Sequence, residues 1–165
     1  MLNPSLQKKL SDLHQEGTKI VLATGVFDIL HHEHIRFLQK AKELGDFLVV
    51  GLESDVRVRK IKGEGRPMFP QEERKDSLRA LGIADEVFVL PENFDTPEEH
   101  QQLIKEIQPD FFAVSEKTPH LAEKKKILEV SGSKMVVVLK HNPEISSTQI
   151  LQRRSQKSSR SERNL

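Results

Sequence analysis

Residues 25–34 read GVFDILHHEH, crowding His31, His32 and His34 behind a glycine and an aspartate. His31 and His34 are three apart, the spacing that puts two side chains on one face of a helix. At a helix start they would stand beside backbone N–H groups that lack an intrahelical partner, at the positive end of the dipole. Two imidazoles next to such donors can hold a polyphosphate and stabilise the charge that develops when phosphorus is attacked. Gly25 would let the backbone approach that ligand closely. Metal ligation is the rival chemistry for His31, His32, His34 and Glu33. However, H-H-E-H is not the H-E-x-x-H zinc pattern, and adjacent helical residues face different ways. Two other phosphate motifs are missing: no G-x-G-x-x-G follows the preceding apolar run, and no G-x-x-x-x-G-K-[ST] occurs anywhere.

Such residues need a strand to deliver them and a helix to receive them. Apolar runs of strand length occur at KIVLAT (19–24), DFLVVGL (46–52), EVFVL (86–90), DFFAVS (110–115) and KMVVVLK (134–140). They are dense in Val, Ile, Leu and Phe rather than alternating, as expected of strands buried on both faces of a parallel sheet. Helical segments lie between them. Asn3-Pro4, Thr118-Pro119, and Asp95 or Thr96 before Pro97 read as N-caps with proline at the first helical position. Gly17, Gly45, Gly82 and Gly132 stand where left-handed C-terminal caps would stop helices. The alternation predicts an α/β fold, a doubly wound parallel sheet of five strands with helices on both faces. Residues 53–70, ESDVRVRKIKGEGRPMFP, read as one long irregular loop, and loops of that length are usually functional. In such sheets ligands bind beyond the C-terminal ends of the strands, which is where the histidines fall.

The composition narrows the chemistry further. The 165 residues suit one domain, and without cysteine there is no disulfide framework and no thiolate metal site. A polar N-terminus and the lack of a long apolar run predict a soluble, cytoplasmic protein. The net charge of +1 hides a division: Arg153, Arg154, Lys157, Arg160 and Arg163 oppose only Glu162 in the last thirteen residues. Residues 1–152 therefore form a mildly acidic domain, followed by a serine-rich basic tail, 153–165, expected to be disordered. An acidic body argues against nucleic acid as a partner, although an RNA-associated module working through the tail is a reading the charge division allows.

Three blocks in order carry a resemblance to a known family. GVFDILHHEHIRFLQKAKELGDFLVVGLESD (25–55), KGEGRPMFPQEER (62–74) with ALGIADEV (80–87), and EISSTQI (144–150) resemble the HxGH nucleotidylyltransferases. That superfamily includes glycerol-3-phosphate cytidylyltransferase, heptose-phosphate adenylyltransferase and phosphopantetheine adenylyltransferase. The likeness runs from about Thr18 to Leu151, and the middle block is most similar to the heptose-phosphate adenylyltransferases. It implies a Rossmann-like fold whose first and fourth strands flank the site. It also implies transfer of a nucleoside monophosphate from ATP or CTP to a small phosphorylated metabolite, with Mg²⁺ as cofactor and a homodimer among the states open to the chain.

Carried over by position, the backbone of Gly25, Val26 and Phe27 would hold nucleotide phosphates, and His31 and His34 would stabilise the transition state. Lys60 and Lys62 would contact substrate phosphate or polyphosphate, and Arg74 would lie near the phosphates. Ser146, Ser147 and Thr148 would contact base or triphosphate, although alone they also read as an ordinary helix N-cap. Glu33 stands where the family motif has glycine, and a carboxylate there must turn from the phosphates or help hold Mg²⁺. His141, Glu144 and Ser115 replace an arginine and two glycines of the family pattern. These departures leave the choice of nucleotide open, and leave a nucleotide-binding protein with altered catalysis as the alternative.

Overall fold

Five parallel strands lie in the order β3-β2-β1-β4-β5: β1 Ile20–Gly25, β2 Phe47–Leu52, β3 Glu86–Val89, β4 Phe111–Ser115 and β5 Lys134–Leu139. The computed structural model describes residues 1–140 and 151–152. Helices α1 (Pro4–Gln15), α2 (His32–Lys42), α3 (Asp55–Lys62), α4 (Gln71–Ala80), α5 (Pro97–Ile107) and α6 (Leu121–Ser131) fill the crossovers. The central strand β1 is paired on both sides, with Ala23 opposite Val50 of β2 and Ala113 of β4. Its first four residues are buried on both faces, hence the unbroken apolar run.

Two cores sandwich the sheet. On one face Leu6 and Leu10 of α1, Leu103, Ile104 and Ile107 of α5, and Leu128 of α6 pack on Leu22, Val49 and Phe112. On the other, Phe37, Leu38 and Ala41 of α2 and Leu78 of α4 pack on Val21, Val50 and Val87. The doubly wound architecture is as the sequence predicts, and the first strand pairs with the fourth, the two strands the resemblance implies flank the site.

Three local expectations are corrected. The piece from 53 to 70 contains α3, capped where the Ser54 side chain accepts from Arg57 N at 3.2 Å. Thr118 is not an N-cap and Pro119 does not open a helix. Thr118 Oγ1 instead accepts from Ser115 N at 3.1 Å, tightening the turn after β4, and α6 starts two residues later behind His120. Thr96 does cap α5, reciprocally with Glu99. Gly17, Gly82 and Gly132 adopt positive φ, whereas Gly45 does not. Its need for glycine is steric, because a Cβ there would stand 2.7 Å from Lys19 O.

Candidate active site

Beyond the C-terminal ends of β1, β2 and β4 lies a cavity of about 390 Å³. Its floor is the turn leaving β1. Phe27 holds a left-handed φ of 45°, and its ring folds back into the core beside Phe37. A Cβ on Gly25 would meet that ring at 2.7 Å, so glycine is demanded here by the aromatic side chain. Val26 O is held by Arg74 Nη1 at 2.6 Å.

The chain then enters α2 with His31 as N-cap and no side-chain cap on its first turn. The first-turn N–H groups are thus left for another acceptor. The rings of His31 and His34 stack at 3.8 Å between centroids with 17° between planes, and both line the cavity. The Nδ1 atoms of both are buried without a hydrogen-bond partner. Burial, and then charge on His31, lowers His34 to about 4, the backbone of Ile29 acting the other way. Burial and His32 likewise lower His31, against Glu33. At neutral pH both rings are therefore uncharged. Stacked imidazoles cannot both hold a proton cheaply in a desolvated wall until an anion arrives.

Cations ring the rest of the opening: Lys62 at the end of α3, Arg66, Lys117 after β4, Lys124 on α6, and Lys140. The three acids on the wall are Asp28, Glu33 and Glu53, and two are already spent. Asp28 accepts from Arg66 Nε at 2.7 Å and from the backbone N–H groups of Met68 (2.9 Å) and Phe69 (3.2 Å), pinning residues 66–69 beside the site. Glu33 accepts from Arg36 Nη1 at 3.0 Å and lies 3.3 Å from His32 Nε2. The carboxylate that replaces the motif glycine is thus paired along its own helix.

Of the residues expected from sequence, Gly25, Val26, Phe27, His31, His34 and Lys62 meet at this cavity, with Glu33 beside them. Lys60 does not line it; its Nζ is 3.6 Å from Asp95. Arg74 is fully buried, with its donors on Phe69 O, Val26 O, Glu53 O and Asp55 Oδ1. Arg74 therefore braces the ends of β1 and β2 rather than opening onto the cavity. Ser146, Ser147 and Thr148, with His141 and Glu144, lie outside the described residues. Sequence reasoning missed Glu53, Arg66, Lys117, Lys124 and Lys140 as wall residues. The GR pair at 65–66 carried a weak signal, whereas Lys124 in the run EKKK looks like any solvated lysine.

Comparison with known proteins agrees with this fold. A model of the cytidylyltransferase-like family matches residues 22–153. The chain is similar to proteins named bifunctional protein HldE. Identity is 37% over 155 residues in Cronobacter sakazakii, covering 93% of this chain and 31% of that protein. It is 36% over 148 residues in Photorhabdus laumondii, 88% of this chain and 30% of that protein. A shorter match in Nitratiruptor sp. reaches 50% over 99 residues, 60% of this chain and 20% of that protein. The chain thus spans about a third or less of these curated relatives. Among solved structures, the lipopolysaccharide core biosynthesis protein from Thermoplasma volcanium aligns with a TM-score of 0.60 and 29% identity, over 76% of this chain and 98% of that one. A pantothenate synthetase from Thermus thermophilus shares the fold at 16% identity and a TM-score of 0.59, over 86% of this chain and 65% of that one.

Proposed function

Because this chain belongs to the cytidylyltransferase-like family, we propose that it is a nucleotidylyltransferase acting on a small phosphorylated sugar, with ATP as the nucleotide. A phosphate oxygen of the acceptor attacks the α-phosphorus of ATP. The bond from that phosphorus to the oxygen bridging to the β-phosphate breaks, and pyrophosphate leaves with the electron pair. The acceptor brings its own ionised nucleophile, so the protein needs neither a covalent nucleophile nor a general base. The sugar is supported by the similarity to a lipopolysaccharide core biosynthesis protein and to the HldE proteins, and ATP by the KGEGRP stretch.

One observation carries the reading: two stacked, uncharged histidines with orphaned nitrogens stand at an uncapped helix N-terminus, inside a cavity walled by five cationic side chains. His31 and His34 donate hydrogen bonds to the triphosphate and gain charge as its oxygens approach. Positioning and preorganised donors of this kind supply most of the catalysis in phosphoryl-group chemistry. Lys62, with Arg66 beside it, neutralises the outer phosphates, and the turn at Gly25, Val26 and Phe27 seats the α-phosphate. Lys60 joins them only by leaving Asp95, and Arg74 acts by holding that turn. Ser146, Ser147 and Thr148 are the further nucleotide contacts that the EISSTQI block implies.

No group of three or more His, Cys, Asp or Glu able to hold a metal occurs among the described residues. The wall fits a Mg²⁺ that arrives on the triphosphate and stays on its oxygens, since Glu33, the carboxylate nearest in sequence to the two histidines, is paired with Arg36. Such an ion would neutralise charge on the departing pyrophosphate. No helix of the described residues is long and apolar enough to cross a membrane, and we place the enzyme in the cytoplasm, where nucleoside triphosphates are made.

Screening phosphorylated sugars with ATP and with CTP for pyrophosphate release, beside calorimetric binding of both nucleotides, tests the proposal. Release that depends on a sugar phosphate supports it. Nucleotide binding without release from any pair would make the chain a binding protein instead.

A further inference from the structure

One acid in the cavity has no part in the phosphate roles above, and its pairing in the fold is a long ion pair to Arg57. Glu53 directly follows β2, and its backbone is fixed from both sides. Its N–H donates to Gly25 O at 2.9 Å, and its carbonyl accepts from Arg74 Nη2 at 2.9 Å. The side chain, 14% exposed, lines the cavity. Its Oε2 is buried without a hydrogen-bond partner, and so is Arg57 Nε, 3.7 Å away. That separation is too long for a hydrogen bond. Asp95 explains the gap, because it engages Arg57 Nη1 and holds the guanidinium by its other end.

A buried oxygen that only accepts and a buried nitrogen that only donates thus face each other across a space neither can close. Glu53 lines the cavity and Arg57 does not, so a hydroxyl arriving there can give its proton to Glu53 once the carboxylate turns toward the opening. Lys124 faces the same cavity from α6, and its Nζ makes no ion pair among the described residues. Its charge favours ionised Glu53, although burial is the larger influence and holds Glu53 up and Lys124 down. A lysine there also lets a phosphate-bearing molecule approach an acid that would otherwise repel it.

We propose that Glu53 is a specificity-determining residue of the acceptor subsite, where its Oε2 receives a hydroxyl of the phosphorylated acceptor. This rests on the nucleotidylyltransferase reading and adds a requirement to it: the acceptor carries a hydroxyl on its carbon skeleton, as polyol and sugar phosphates do. The ribose of a nucleotide also carries hydroxyls, and the ATP arm of the experiment below separates the two sources.

The experiment is calorimetry on the full chain, comparing wild type, Glu53→Gln and Glu53→Ala. The probes are glucose 1-phosphate, glycerol 3-phosphate, inorganic phosphate and ATP, with melting temperature as the check on folding. Glu53→Ala is expected to weaken at least one of the two hydroxyl-bearing phosphates by about tenfold or more, with Glu53→Gln intermediate. Inorganic phosphate and ATP should bind unchanged or tighter, since a negative charge has been removed from the wall. That opposition of sign is what a merely electrostatic or structural glutamate would not produce. The proposal is overturned if wild type binds neither hydroxyl-bearing phosphate or if the variants bind them unchanged or tighter. It is equally overturned if all four probes weaken together, or if ATP alone weakens, which would assign the hydroxyl to the ribose. Pyrophosphate release separates the two claims. The Glu53 pattern without release defeats nucleotidyl transfer and leaves the subsite, whereas release with unaltered binding defeats the subsite alone.

Discussion

His34 stands largely desolvated in the cavity wall, and its depressed pKa ties the stability of the site to pH. The unfolded chain protonates this ring near 6.5, the native chain only near 4. Between those values the unfolded state binds the extra proton, so the contribution is complete above about pH 6.5 and is lost as pH falls toward 4. The full shift corresponds to roughly 3 kcal/mol. Denaturant melts at pH 7 and pH 4.5 should show a drop of that order in wild type, and a smaller one in His34→Ala. Glu33 makes a contrasting case. Glu33→Gly removes the Arg36 pair and introduces a poor helix former in the first turn of α2, at a cost of about 1 kcal/mol. We expect a lower melting temperature with turnover retained, and abolished turnover would instead give Glu33 a metal or substrate role.

At the scale of elements, the segment beside the site is pinned by the Asp28 carboxylate. Asp28 leaves β1 and binds Arg66, Met68 N and Phe69 N, which connect α3 to α4. Asp28→Ala would strand a largely buried guanidinium and two N–H groups, a loss in the range of 3–5 kcal/mol for breaking a buried pair. Limited proteolysis should then cut near residues 63–69 faster than in wild type, while the strand core survives. This element also shows where the sequence stops being legible. β1, β2 and β4 were readable because burial on both faces leaves continuous apolar runs. The edge strands β3 and β5 were readable because their runs are apolar although less buried, and α5 because Thr96, Pro97 and Glu99 form a local cap. By contrast α3 is short and strongly basic, with Val58 its one buried residue, so nothing in its pattern separates it from a charged loop. Thr118-Pro119 misled for a related reason: the same side chain that caps a helix also closes a turn, and the demand of Ser115 N decided between them.

Across the whole molecule, the site is a product of topology. The order β3-β2-β1-β4-β5 puts the histidine turn at the centre of the sheet and brings residues 24 to 140 around one opening. The histidines and the glycine turn were legible because they sit in a local motif beside a strand end, whereas Lys62, at the end of α3, was named only through the family resemblance. Glu53, Lys117 and Lys124 were not, because what distinguishes them is the company they keep after folding. Arg74 shows the reverse error: a basic residue near the motif looks like a phosphate ligand until the carbonyls at the ends of β1 and β2 are seen to occupy it.

The most direct measurement follows the α-phosphate itself. ATP labelled at the α-phosphorus is incubated with a sugar phosphate, and labelled nucleotide sugar is counted while the unlabelled pyrophosphate is assayed separately, for wild type and His34→Ala. Equal amounts of the two products from wild type are expected, with a rate lower by roughly 10²–10³ in the folded variant, as when one preorganised donor is removed. Label that never reaches a sugar phosphate, or transfer by His34→Ala at the wild-type rate, would contradict the account.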